Sequence, residues 1–409
     1  MKLAKKMFLA TVAFGFLAMS CGGGGSGNTI TLWSHTTGPD GDLIQENIDR
    51  FNATDPEFTI ELQTMEAGTM FNRLATSVMA GQGVPDLAMI ASETLPMFQG
   101  QGLMVSWDEH IAGTSLIRSN YLDTAWDLGT FEGKQYGIPM SMTSWIMYYN
   151  KELVDRYAPG ALDDGIVTYA EVFAAGDAAK ADGILAIGQT WPMQNVTNLY
   201  MQMGGNFSEN GSPTFYNDTA IATFQTFKDL LDRGFMNAQG EDAIALFNSG
   251  QVIFLPEGTW MISDMEKIAG FEWGQTITTQ WDADNLVQGS GVPHFTLFRS
   301  NKRSDEKLAG IVKFVEWLQT NQVEWLRSGA NPTALNMFDN PEFLQMPQSF
   351  LVTNDKFRDS IRVIVDPGSS EVFGQIDSRF WDMVSGRTDI DQSLREVQQL
   401  LNDIMAQAQ

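Results

Sequence analysis

The sequence predicts a mainly parallel α/β fold arranged as two successive units. Three observations lead there. Strand and helix patterns alternate from residue 29 to residue 90, the turns between them are short and marked by glycine, and 409 residues at 43% hydrophobic suffice for two domains with separate cores. A strand over 29–33 leads through a polar turn into a helix, on which Leu43, Ile44, Asn47, Ile48 and Phe51 recur at helical spacing until Asp55 and Pro56 close it. Residues 58–62 alternate as a second strand. A second helix runs over 70–80 and is broken by Gly81 and Gly83, and 85–90 is an apolar, buried strand.

A second α/β stretch follows, with the crossing placed near 139–144. Residues 145–149 form an apolar strand, Thr168 and Glu171 have the spacing of a capping box that opens a helix, and 184–187 is a further strand. Residues 309–326 carry a helical stripe of Ile311, Val312, Phe314, Val315 and Leu318, capped by Ser304 or Asp305. An amphipathic helix over 390–405 ends the pattern.

The first residues carry a different signal. Lys2, Lys5 and Lys6 precede an apolar run over 7–19, too short to span a membrane as a mature helix, and the run ends at Leu17, Ala18, Met19, Ser20 and Cys21. This resembles a bacterial lipobox, with Ala18 where leucine is usual. It implies a signal peptide over 1–20 and lipidation of Cys21, followed by a glycine-rich tether over 21–28. The alternative is an ordinary secretory signal with a chance cysteine at its edge. The expected location is the cell envelope, either periplasm or the outer face of the membrane.

Residues 1–20 hold three lysines and no acid, so without them the net charge moves from −25 to about −28. Such a field repels nucleic acid and anionic membrane surfaces and favours neutral or cationic ligands. Cys21 is the only cysteine, so no disulfide within the chain holds the fold. No later apolar run is long enough to span a membrane.

Several phrases, in order, carry a family resemblance. They are Ile30-Thr31-Leu32-Trp33-Ser34-His35 with Ile48-Asp49-Arg50-Phe51-Asn52, then Ala80-Gly81-Gln82-Gly83-Val84-Pro85-Asp86-Leu87. Gly133-Lys134-Gln135-Tyr136-Gly137-Ile138-Pro139 with Tyr148-Tyr149-Asn150-Lys151 is the most specific, followed by Phe247-Asn248-Ser249-Gly250-Gln251, Gly258-Thr259-Trp260 and Ser328-Gly329-Ala330-Asn331-Pro332. Together these resemble the family 1 extracellular solute-binding proteins of ABC importers, most of which bind sugars. The resemblance implies a two-lobed, type II periplasmic-binding-protein-like fold whose lobes close on a ligand by a hinge motion. The N-terminal lobe is expected over 29–142 plus 290–334 and the C-terminal lobe over 143–289 plus 335–409. Crossings are expected near 140–143, 289–293 and 331–335.

Eleven tryptophans suit a sugar cleft, because the C–H faces of a pyranose lie against indole while its hydroxyls need carboxylates and amides. Trp33 ends the first strand, where open α/β sheets place ligands, and His35 follows on the same loop. Asp40 opens the next helix and reads either as its cap or as a ligand contact. Glu66, Ser92 and Glu93 fall at similar strand ends, whereas Asp86 reads as fixing the turn into its strand. By resemblance Thr143 occupies a crossing position where sugar-binding relatives often carry a carboxylate. Trp145, Trp191 and Trp260 are further stacking candidates, each with core packing as the alternative; Trp317 and Trp325 read as packing. His294 follows the second crossing and either faces the cleft or is satisfied by backbone.

Enzyme chemistry finds little support. Three histidines, at 35, 110 and 294, give no zinc spacing, and there is no Gly-x-Ser-x-Gly elbow, phosphate loop or calcium loop. No catalytic residue, metal or cofactor is therefore expected. The function expected is capture of a mono- or oligosaccharide by a monomeric, membrane-anchored binding protein that hands it to ABC permease subunits. The alternatives are a polyamine, polyol or peptide ligand, a sensor role, or a secreted carbohydrate-active enzyme, which would need two carboxylates flanking the scissile bond.

Overall fold

The computed structural model describes residues 28–36, 38–209, 212–365 and 369–408. The expected signal peptide, Cys21 and nearly all of the tether lie outside the described residues. Among those described, no helix is long and apolar enough to cross a membrane.

The chain opens with β1 (Thr29–Ser34), α1 (Gly38–Asn52), β2 (Thr59–Thr64), α2 (Ala67–Ala80) and β3 (Leu87–Ala91). β1 pairs in parallel with β2 on one side and with β3 on the other. Alternation along the strands sends Ile30, Leu32, Ile60, Leu87 and Met89 to one face, against Ile44, Ile48 and Phe51 of α1. Trp33, Ala88 and Ile90 go to the other face, against Met70 and Leu74 of α2. Gly81 ends α2 with φ +65°, the left-handed conformation that glycine adopts without a Cβ clash. The strand Pro293–Phe298 returns antiparallel to β3 and completes this first sheet with Met104–Val105 and Gly137–Pro139.

The second sheet is built on Ser141–Asn150, a strand that begins at the seam between the lobes. Its far half pairs antiparallel with Val252–Gly258 and with Trp273–Ile277. Its near half pairs with Gln288–Gly291 and Asn331–Pro332. The second and third passages of the chain between the sheets thus both pair with the strand that is itself the first. Leu185–Ile187 lies beside Val252–Gly258, and Ile361–Arg362 beside Gln288–Gly291. Helices including Tyr169–Ala179, Asp218–Asp232, Ser369–Val384 and Ile390–Ala408 cover this sheet around Phe224, Phe227 and Phe380. Thr168 and Glu171 form the expected capping box.

Two features depart from the sequence reading. The helix expected over 309–326 is Asp305–Asn321, capped by Ser304, followed by a separate Val323–Leu326. Asn321 donates from its amide back to the Trp317 carbonyl at 2.8 Å, the local bonding by which asparagine competes with helix continuation. Phe343, Met346, Val352 and Ile361 pack into the first core while Leu351 and Phe357 pack into the second. The chain therefore runs along the seam well past the boundary expected at residue 334.

Candidate functional site

β1 has β2 on one side and β3 on the other, so the chain leaves their carboxyl ends in opposite directions and opens a crevice there. His35 and Thr36 leave β1 into this crevice, and Ala91 and Glu93 leave β3 into it. The second lobe supplies the facing wall through Ser144 and Trp145, Trp260 and the first turns of the helix Pro192–Gln202. The floor is made by the passages between lobes, Thr143 and 289–293, and the rim by Trp325, Phe373 and 362–364. The resulting cleft has a volume of about 360 Å³, within the range of small-molecule sites.

The floor is tied together by its own polar groups. The Ser144 and Ser290 hydroxyls are 2.7 Å apart, the Gly289 N–H donates to Asn198 Oδ1 at 2.7 Å, and the Ser92 N–H donates to the Val292 carbonyl. The aromatic walls are likewise held by their polar edges. Trp145 Nε1 donates to Asn195 Oδ1 at 2.9 Å, and Trp325 Nε1 donates to Ser141 Oγ at 2.8 Å. Both indoles are nearly enclosed, 2% and 3% exposed, and with those N–H groups engaged the small surface each presents to the cleft is apolar. The ring of Trp145 lies 5.8 Å from that of Trp260 at 48°, so the two form one tilted wall.

Charge is sparse. Among the described residues the lining has one carboxylate, Glu93, and one guanidinium, Arg362. Burial pushes the Glu93 carboxyl above its ordinary range, with its own backbone N–H and Ser92 opposing. Burial lowers the His35 pKa against a smaller opposing effect from the Met89 backbone, so the imidazole is neutral at pH 7, and its Nδ1 has no partner. A neutral imidazole, a half-buried carboxyl, hydroxyls and a glutamine amide can share hydrogen bonds with a polar, uncharged ligand. The described lining does not pair two carboxylates across the space, as hydrolysis of a glycosidic bond would need. Among the described residues no cluster of histidine, cysteine and acidic side chains is fit to hold a metal ion.

The fold brings His35, Glu93, Thr143, Trp145 and Trp260 together in this cleft and leaves the other candidates outside it. Trp33 is still within β1, so its indole turns into the core; it donates to Gln63 Oε1 at 3.0 Å and stacks under Arg73. Glu66 is exposed and caps α2, accepting from the Gly68 and Thr69 N–H groups at 2.8 Å. Ser92 is fully buried behind Glu93. His294 is fully buried, with its ring nitrogens on the Val292 and Ala125 carbonyls at 2.8 and 3.1 Å; burial outweighs those carbonyls and lowers its pKa to about 4. Trp191 is half-exposed beside the cleft, its Nε1 donating to Glu257 at 2.6 Å. Asp40 falls in the first turn of α1, and its side chain lies outside the described residues. Trp325, read from sequence as packing, is buried yet lines the cleft, from the short helix Val323–Leu326; Trp317 does pack, against Phe51.

The family profile described as bacterial extracellular solute-binding protein matches residues 35–325. The chain is 24% identical over 323 residues to an arabinooligosaccharide-binding protein of Halalkalibacterium halodurans, covering 74% of this chain and 71% of that one. It is 27% identical over 236 residues to an arabinooligosaccharide-binding protein of Bacillus subtilis, covering 55% and 53%. Among solved structures, an ABC substrate-binding protein of Listeria monocytogenes in complex with cycloalternan has a TM-score of 0.75 at 20% identity, covering 92% of this chain and 99% of that one. The sugar-binding protein MalE of Xanthomonas citri has a TM-score of 0.77 at 17% identity, covering 93% and 98%.

Proposed function

The chain belongs to the bacterial extracellular solute-binding protein family, and on that premise we propose that it captures a neutral mono- or oligosaccharide between its lobes and delivers it to an ABC permease. The observation that carries this reading is the cleft itself: Trp145 and Trp260 on one lobe, Trp325 on the other, and, among the described residues, one carboxylate in the lining. Indole faces take the C–H faces of a sugar ring, and His35, Glu93, Thr143 and Gln194 take its hydroxyls. Two relatives named for arabinooligosaccharides support a pentose oligomer as the first ligand to try. A polyamine would want several counter-charges, and of the acidic candidates Glu66 is committed to capping a helix.

In this reading the protein does no covalent chemistry. Closure of the lobes about the seam sequesters the ligand, and the closed form is what the permease recognises. Cys21 would carry the lipid that keeps the monomeric protein at the cell envelope. A thermal-shift panel of the chain from Gly22 onward, covering sugars, polyols, polyamines and peptides, tests the proposal. A ligand at a hundred times its Kd adds about 2.7 kcal/mol. Stabilisation by one group of sugars, lost in Trp260→Ala, is the expected result. Stabilisation by amines alone keeps the importer and removes the sugar, and consumption of sugar in the wells would make the protein an enzyme.

A further inference from the structure

We propose that Asn195 is a positioning residue for the cleft, holding the plane of Trp145 through a buried chain of amides; the inference rests on Trp145 being a wall for the ligand. Asn195 lies on the helix Pro192–Gln202, whose Met193, Gln194 and Thr197 face the cleft. Its own side chain turns away, 3% exposed, and accepts the Trp145 indole N–H at 2.9 Å. Its Nδ2 donates to Gln189 Oε1 at 3.0 Å. Gln189, 4% exposed, is fixed in turn through its backbone: its N–H donates to Asn237 Oδ1 at 2.6 Å, and Asn237 Nδ2 donates back to its carbonyl at 3.3 Å.

The direction of this chain is set by the indole. An indole N–H can only donate, so Asn195 must present Oδ1 to it and Nδ2 to Gln189. Gln189 must then present Oε1, which leaves its Nε2 pointing elsewhere, and that buried donor is without a partner. An unsatisfied buried donor is expensive. An apolar residue at 189 would only transfer that cost to Asn195 Nδ2, which would lose its acceptor, so the two amides and the indole form one unit. The arrangement makes sense as a device that gives Trp145 one orientation, at 48° to Trp260, before any ligand arrives.

The test is indole N–H exchange by NMR in the full-length chain carrying 15N-indole tryptophan, with the Trp145 signal assigned as the one missing from Trp145→Phe. In the wild type that proton exchanges slowly. Asn195→Leu should speed its exchange at least about tenfold, the loss of one buried hydrogen bond, and Asn195→Asp, which keeps an acceptor in place, should restore protection. Titration with arabinotriose should show affinity lowered about tenfold in Asn195→Leu and largely restored in Asn195→Asp. Should Asn195→Leu fail to fold, Gln189→Met, one step further from the indole, is expected to give the same changes at smaller size. Unchanged exchange in Asn195→Leu overturns the proposal, as does wild-type affinity in a variant whose indole has lost protection. A wild type that ignores arabinotriose counts against the sugar alone, and the exchange measurement still decides whether Asn195 holds Trp145.

Discussion

Glu257 should make the folded protein lose stability as the pH rises towards neutrality. Its side chain is fully buried on the strand Val252–Gly258, and burial pushes its pKa from 4.5 to about 7 against the hydrogen bonds it accepts from Gly258 N–H, Trp191 and Thr190. Below the unfolded value of 4.5 both states hold the proton, and the contribution of the neutral carboxyl is complete. Between 4.5 and about 7 the unfolded chain releases its proton while the folded one keeps it, so stability falls; above about 7 the loss is complete. At about 1.4 kcal/mol for each pH unit, the whole window is worth about 3 kcal/mol, of which about 2.5 lies between pH 5 and 8. The assay is urea unfolding of the wild type and Glu257→Gln in parallel at pH 5, 6, 7 and 8. Glutamine keeps an acceptor for Trp191 but does not titrate, so the difference between the two isolates this group. The wild type should lose about 2.5 kcal/mol relative to the variant across that range. A difference that stays flat, or that moves in favour of the wild type as the pH rises, would refute the reasoning.

His294 carries the opposite slope. Held to about 4 by burial, it contributes stability that is present above 6.5 and lost as the pH falls towards 4, again about 3 kcal/mol. The two groups therefore offset each other between 4.5 and 6.5, and acid unfolding of His294→Gln beside the wild type should reveal a slope that the wild type hides. Asp86→Ala should destabilise the protein by about 2 kcal/mol without changing ligand affinity, because Asp86 accepts from the Thr31 N–H at 3.0 Å and pairs with the part-buried Lys307 at 2.8 Å. Gly258→Ala would drive a methyl group into the Trp260 indole, so ligand titration should show weakened binding while the circular dichroism of the fold is retained.

Repeating apolar patterns made β1 to β3, α1, α2 and the capped helix at Thr168 legible, since each is dictated by neighbours within a few residues. The strand Val252–Gly258 was not, although it is central to the second sheet and wholly buried: Pro256 lacks the N–H a ladder uses, and it is accommodated opposite Met147 only by tertiary pairing. In the cleft the rule that ligands meet the carboxyl ends of parallel strands located His35 and Glu93, but it is sensitive to a single residue. Trp33, two positions before His35, is still on the pleat and belongs to the core, and Ser92 is buried behind Glu93. β2 is the edge strand, one place removed from the crevice, so the carboxylate at its end was free to cap α2. Gln194, Phe373 and Trp325 carry no local signal at all, because what brings them to the cleft is the packing of one lobe against the other.

Capture of sugar by the tryptophan wall is tested most directly by isothermal titration of arabinotriose into the wild type and Trp260→Ala, with Trp281→Ala, an exposed indole outside the cleft, as the control. Saturable one-to-one binding that is weakened at least about tenfold by Trp260→Ala and untouched by Trp281→Ala is the predicted result. Saturation with spermidine and not with any sugar, or sugar binding of equal strength in Trp260→Ala, would contradict it.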